Sequence, residues 1–296
     1  MRRIMKWGGW LVGGVLALGL VLFGYGAWRT SQGLTRTYDI ADPPLAIARD
    51  EASVAHGAHL FATRGCADCH GEQGHGRLVF EAGPVMKVVA PNLTPGGIVK
   101  GWSGDQIAVA IRHGVKPDGR PMLFMPTPEY AGLSDADVGA LVAFLQSRPA
   151  SGNDPGLSEV RPVGKIMYAL GKLPLLPAEH VDHSPRERAA PPIAATVEYG
   201  GYVAQGCTGC HGRDFAGQHV PGTPPSFKDA RNLTPASLGA WSEDDFRRAL
   251  QQGKRPDGSA IDTFMPWQQF ARMSDTEVKA LWAFLQTVPA VDRTKG

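Results

Sequence analysis

From Trp7 to Trp28 the chain runs 22 residues without a charged side chain. A helix of that length reaches roughly 33 Å, enough to cross a bilayer core. Beyond it the apolar positions turn periodic, in two rounds. Residues 51–64 predict a first helix. Ser103-Gly-Asp-Gln106 has the pattern of a capping box, followed by Ile107, Ala110 and Ile111 on one face and Gly114 as a stop. Ser134 caps a run with Val138, Leu141, Val142 and Leu145 at helical spacing. The second round predicts helices from Ser242 to Gly253 and from Ser274 through Val278, Leu281, Trp282 and Leu285. No segment alternates with period two for long enough to require a strand.

The two rounds are copies. Cys66-Ala-Asp-Cys69-His70 matches Cys207-Thr-Gly-Cys210-His211, and Asn92-Leu-Thr-Pro95 matches Asn232-Leu-Thr-Pro235. Trp102-Ser103 matches Trp241-Ser242, Pro117-Asp118-Gly119 matches Pro256-Asp257-Gly258, and Phe124-Met125-Pro126 matches Phe264-Met265-Pro266. The offset stays near 140 residues, so each unit is domain-sized. This gives an anchor over 1–30, a first domain over 45–150, a linker over 151–194 and a second domain over 195–292. The linker reading rests on proline: residues 149–194 hold 8 of the 24. Its apolar stretch Ile166–Leu170 is expected to pack somewhere, across both domains if it reaches them. The stretches 71–102 and 212–240 have no periodicity. Loops that long make sense when they wrap a non-protein group.

Composition changes the picture little: 43% hydrophobic and 20% charged residues exclude a disordered chain. Charge adds an orientation. The net charge is +2, and residues 1–29 carry Arg2, Arg3, Lys6 and Arg29 with no acid. The rest of the chain has no basic excess, so no nucleic-acid partner is expected. Positive charge before the span keeps that end in the cytoplasm and sends the body outside. A signal peptide has an h-region of about 7–15 residues. The longer span here, and a poor cleavage site at Gly24-Tyr25-Gly26, favour an uncleaved anchor.

The four cysteines, Cys66, Cys69, Cys207 and Cys210, form two close pairs, each followed directly by histidine. C-x-x-C-H is the covalent attachment signature of c-type haem. Two thiols at a short fixed spacing reach the two vinyl groups of one macrocycle, and the next residue offers imidazole to its iron. A four-thiolate zinc site would leave His70 and His211 without a role. A thioredoxin-like pair would need a βαβ context that is missing. The sequence therefore predicts two covalent haems. Of eight methionines only Met125 and Met265 recur, both as Phe-Met-Pro, and they are the expected second axial ligands. Met122 is the rival in the first half. The other seven histidines have no partner in the opposite repeat. Trp102 and Trp241 read as core packing, and Arg112 and Arg247 as candidates to neutralise propionates.

This order of motifs resembles class I cytochromes c: C-x-x-C-H, Asn-Leu-Thr-Pro, Trp-Ser, Pro-Asp-Gly, Met-Pro, then a Ser-capped final helix. It is most similar to the haem-c domains of cytochrome subunits in membrane-bound periplasmic alcohol, aldehyde and gluconate dehydrogenases. The resemblance covers about residues 50–150 and 195–290. It implies an all-α fold of two tandem haem-wrapping domains behind one transmembrane helix at the bacterial inner membrane. Cys66, Cys69, Cys207 and Cys210 would attach haem, with His70 and Met125, and His211 and Met265, on the irons. The implied function is electron relay, not catalysis, from a periplasmic dehydrogenase toward a quinone or terminal oxidase. The alternative is a di-haem enzyme of peroxidase or thiosulfate dehydrogenase type, with one iron open to substrate.

Overall fold

The computed structural model describes residues 2–292. Met1, residues 293–296 and the side chains of residues 2–6 and 8 lie outside the described residues. The charges of Arg2, Arg3 and Lys6, which carry the expected orientation, are therefore outside them too. Helix α1 (Arg2–Thr35) contains the expected span and runs on past it. Residues 9–35 are long and apolar enough to cross a membrane, and Trp10, Leu11, Val15, Leu18 and Leu20 are exposed along it.

The first repeat folds as α2 (Glu51–Thr63), α3 (Cys66–His70), β1 (Arg77–Ala82), β2 (Met86–Ala90), α4 (Gly104–His113), α5 (Thr127–Tyr130) and α6 (Asp135–Ser147). The following segment adds β3 (Glu159–Val160), α7 (Pro162–Ala169) and a 3-10 turn over Pro177–His180. The second repeat has α8 (Val197–Ala204), a 3-10 turn over Gln205–Cys207, α9 (Thr208–His211), α10 (Pro235–Leu238), α11 (Glu243–Gln252), α12 (Trp267–Phe270) and α13 (Asp275–Leu285). The fold is mostly helical, as expected. The difference is a small antiparallel sheet in the order β1-β2-β3, with Glu81 opposite Lys87 and Met86 opposite Val160. A bulge between Leu78 and Phe80 breaks the alternation of β1, which hid the hairpin from a period-two reading.

The helix ends follow their local chemistry. Ser103 Oγ accepts from Gln106 N at 3.1 Å, and Gln106 Oε1 accepts from Ser103 N at 2.8 Å. Ser242 with Asp245 and Ser274 with Glu277 form the same box. Gly114 and Gly253 both stop their helices at φ +64°, a left-handed conformation that favours glycine. Within each repeat the first helix crosses the last at backbone contact. A Cβ on Gly57 would sit 2.0 Å from Ala140 O, and one on Gly200 would sit 1.9 Å from Ala280 O.

That equivalence pairs His59 with Tyr202 across the repeats, and these two residues stitch the halves together. His59 Nε2 lies 2.8 Å from Glu277 Oε2. In the opposite sense, Tyr202 Oη donates to Asp137 and accepts from Ser134 N at 3.0 Å. Asp137 and Glu277 hold the same position in their final helices. One apolar cluster runs through both halves, including Leu60, Leu141, Val203 and Leu281. The two repeats form a pseudo-symmetric pair over a shared core.

The segment expected as a linker is built into the first half. Tyr168, Leu173, Leu175 and Leu176 form a second buried cluster with Met86 and Val88 of the hairpin. Its apolar stretch also meets α1, on a face of Gly26, Thr30 and Gly33. A Cβ on Gly26 would lie 3.0 Å from Ile166 N, and one on Gly33 2.4 Å from Tyr168 Oη. Glu179 receives Arg29 Nη2 at 3.1 Å and Tyr168 Oη at 2.8 Å. Further along, Asp42 accepts from His113 Nε2 at 2.8 Å and Arg188 Nη1 at 3.1 Å. These buried bonds clamp the strap after α1 and the end of the inter-repeat segment onto α4.

Candidate functional site

Helix α3 is one turn that carries Cys66, Cys69 and His70, and it opens on an apolar cavity. Met125 lies on the same cavity, with walls from Phe61, Leu93, Ile111, Leu133, Leu141 and Leu145. Met122 does not line it; its backbone N–H is tied to Gly114 O at 2.7 Å. Phe124 stands at φ +45°, an unusual conformation for a bulky residue, and its N–H donates to Leu175 O at 3.0 Å. The inter-repeat segment thus holds the turn that presents Met125. Pro126 follows, and Thr127 N donates to Met125 O at 2.8 Å. The second half repeats the turn: Trp267 N donates to Met265 O at 2.7 Å, and Met265 packs against the shared core.

The histidines carry the most telling geometry. His70 Nδ1 is 2.8 Å from Pro91 O, and His211 Nδ1 is 2.6 Å from Arg231 O. A carbonyl can only accept, so each Nδ1 carries the proton and each Nε2 keeps a free lone pair. That tautomer is what a metal-ligating histidine needs, with its second-shell partner supplied by the backbone. Burial lowers the pKa of both imidazoles, which keeps them neutral.

The carbonyls are placed by a motif whose role the sequence did not reveal. Pro91 and Arg231 each directly precede Asn-Leu-Thr-Pro. Asn92 Oδ1 accepts from Thr94 N at 2.9 Å while its amide donates to Ser151 O at 2.8 Å. Asn232 Oδ1 accepts from Thr234 N at 2.7 Å and its amide donates to Val291 O at 2.6 Å. Each asparagine pins its loop from both sides and so fixes the carbonyl before it. The recurrence of the motif was the available signal; its purpose needed coordinates.

The thiols are unpaired, and burial pushes Cys66 and Cys207 up to about 12 and Cys210 to about 11. A thiol-disulfide centre works through a thiolate, with a lowered pKa. The cysteine pairs do not converge either: among the described residues no group of three or more His, Cys, Asp or Glu side chains could hold a metal ion. In the first half two thiols, one imidazole with Nε2 free and one thioether share a cavity, and the second half carries the same residue types at the matching positions. That set fits a covalently held haem.

The two candidate arginines are engaged by protein groups. Arg112 is buried behind the first cavity, donating to the backbone of its wall residue Leu133 at 2.8 Å and to Asp135 Oδ1 at 2.6 Å. Arg247 pairs with Asp275 at 2.5 Å. The arginine that does line the first cavity is Arg64, which the repeat does not contain twice. Its Nη1 donates to Val203 O at 3.0 Å and its guanidinium lies over the Tyr202 ring, while buried Nε and Nη2 have no hydrogen-bond partner among the described residues. Trp102 and Trp241 pack against the shared core, as expected.

A model of the family described as Cytochrome c matches residues 54–149 and 198–289. The chain is 28% identical over 305 residues to a diheme cytochrome c-type protein of Cereibacter sphaeroides, an alignment covering 94% of this chain and 97% of that protein. It is 27% identical over 285 residues to the gluconate 2-dehydrogenase cytochrome c subunit of Pantoea cypripedii, covering 84% of this chain but 63% of that one. A shorter match, 34% over 99 residues, joins it to the cytochrome c subunit of a quinone-dependent alcohol dehydrogenase of Gluconobacter oxydans, over 30% of this chain and 21% of that one.

Proposed function

Because the chain belongs to the cytochrome c family, an electron-transfer protein with two haem c groups, we propose that it is a membrane-anchored periplasmic relay. Its two domains, over 45–150 and 195–292, would receive electrons from a dehydrogenase and pass them toward a quinone or terminal oxidase. The similarity to dehydrogenase cytochrome subunits supports a dehydrogenase as donor. Each haem supplies reversible one-electron chemistry when bound. The chain's part is to hold it: Cys66 and Cys69, or Cys207 and Cys210, through thioethers; His70 or His211 through Nε2; Met125 or Met265 through sulfur. Apolar walls would keep water out, and a methionine sulfur on each iron would leave no open position there for substrate.

The observation that carries this reading is the repeated histidine geometry, with Nδ1 committed to a backbone carbonyl in both halves. Carbon monoxide tests it. Neither reduced haem should bind the gas without denaturant. Ready binding at one haem would replace the relay with the di-haem enzyme reading.

The length of the uncharged run from Trp7 to Trp28, beyond that of a signal h-region, supports an uncleaved anchor. Residues 26–33 of α1 cover Tyr168 and Leu176 and so tie the end of the span to the first half. The mature protein is expected to keep residues 7–28 by intact mass and to stay in the membrane through a high-salt wash. A soluble product starting near Tyr25 would contradict an anchor.

A further inference from the structure

We propose that Glu129, carried by the first domain, is the residue that tunes the second haem, binding and releasing a proton as that haem is reduced and oxidised. The inference rests on the cofactor reading above and on a cross-domain contact. Helix α5 follows directly on the Met125 turn, yet it packs against the Gln205–Cys207 turn and α9 of the other half. Gly209 lies between the two cysteines of the second attachment motif. A Cβ there would be 1.8 Å from Glu129 Oε1, so the carboxylate occupies the space above the Cys207–Cys210 loop. The pseudo-equivalent residue in the second half is Gln269. Its Oε1 comes within 3.3 Å of a Cβ built on Gly65, next to the first attachment motif. Each α5-type turn therefore reaches over to the opposite haem-attachment loop, but one brings an ionisable acid and the other a neutral amide.

The surroundings leave Glu129 uncompensated. Around it stand Cys207 and Cys210 of the second motif and Tyr130 on its own helix; the cation nearest these groups, Arg64, acts on Cys207 and Tyr130 and is bonded to Val203 O. Gln205 packs on Gly132. Among the other elements on α5, α4 offers Arg112 and His113, tied to Asp135 and Asp42. The 177–180 turn offers His180 and Glu179, the latter engaged by Arg29 and Tyr168. Among the described residues no cation bonds the Glu129 carboxylate, and burial pushes it up to about 7. The linkage balances simply. When the second haem takes one electron from the donor, iron passes from Fe(III) to Fe(II) and the site loses one positive charge. The carboxylate then takes one proton from solvent and becomes the neutral acid; oxidation returns both.

The sign follows from electrostatics. A carboxylate stabilises the ferric state, so the second haem should be harder to reduce as pH rises through neutrality. The test is a spectroscopic redox titration of the intact membrane-extracted protein between pH 5.5 and 8.5. In the wild type the wave that Met265→Ala lowers should fall with pH. Glu129→Gln should raise that wave at pH 8.5 and flatten its pH profile, leaving the other wave in place. Gln269→Glu, which puts the acid over the first motif, should lower the other wave and give it a pH slope. No change in either variant, or a shift of the wrong wave, would overturn the assignment. Absence of two haem waves in the wild type would instead overturn the cofactor reading beneath it.

Discussion

Replacing Met265 by alanine lowers the reduction potential of the second haem alone and opens it to carbon monoxide. A thioether is a soft ligand that favours Fe(II), and haem c sites with His and Met ligation have raised potentials for that reason. Without the sulfur, the axial position falls to water or an added ligand, and the preference for Fe(II) drops. A loss of at least a hundredfold in that preference corresponds to about 120 mV for a one-electron couple. The effect stays in one domain because the Met125 turn is separate, held by Leu175 O through Phe124 N. A redox titration with carbon monoxide difference spectra checks it. Two unshifted waves and no gas binding would show that another group holds the iron.

Gly57→Val disrupts the first domain more than any surface change can. The Cβ would meet Ala140 O at 2.0 Å and Ala140 C at 2.6 Å, and backbone cannot swing aside as a side chain can. The helices α2 and α6 must separate. Overpacking of a core costs about 1–3 kcal/mol and sometimes more; valine against a carbonyl belongs at the upper end. Cys66 follows α2 by three residues, so separation also displaces the first attachment motif. Denaturant unfolding followed at the haem band should show a loss of about 3 kcal/mol or more. Gly13→Ala, which meets nothing within 4 Å, is the matched control and should leave the transition in place. A Gly57→Val protein within about 0.5 kcal/mol of wild type would mean that this crossing is wrong.

What the sequence exposed was whatever recurs or has a period. Ser103, Ser134, Ser242 and Ser274 announced their helices because capping is local chemistry. Met125 stood out from Met122 because its neighbours recur in the second repeat; Met125 lines the first cavity. What stayed hidden lacked a period or joined distant positions. The hairpin over 77–90 is short and bulged. The inter-repeat segment read as a proline-rich connection, although Tyr168, Leu175 and Leu176 form a core of their own. His59 reaching Glu277, and Tyr202 reaching Asp137, are single residues whose pairing exists only once the halves are superposed in space. Nothing in the sequence marks Glu129, for the same reason. Its significance comes from Gly209, distant in the chain and adjacent in the fold.

The most direct measurement is the intact mass of the purified protein under denaturing conditions, paired with its haem absorbance. Two haem groups should remain on each chain after denaturation. Cys66→Ala with Cys69→Ala should remove one of them, and Cys207→Ala with Cys210→Ala the other. A chain whose mass equals that of the bare polypeptide, or that keeps both haems after either pair of substitutions, would contradict the account.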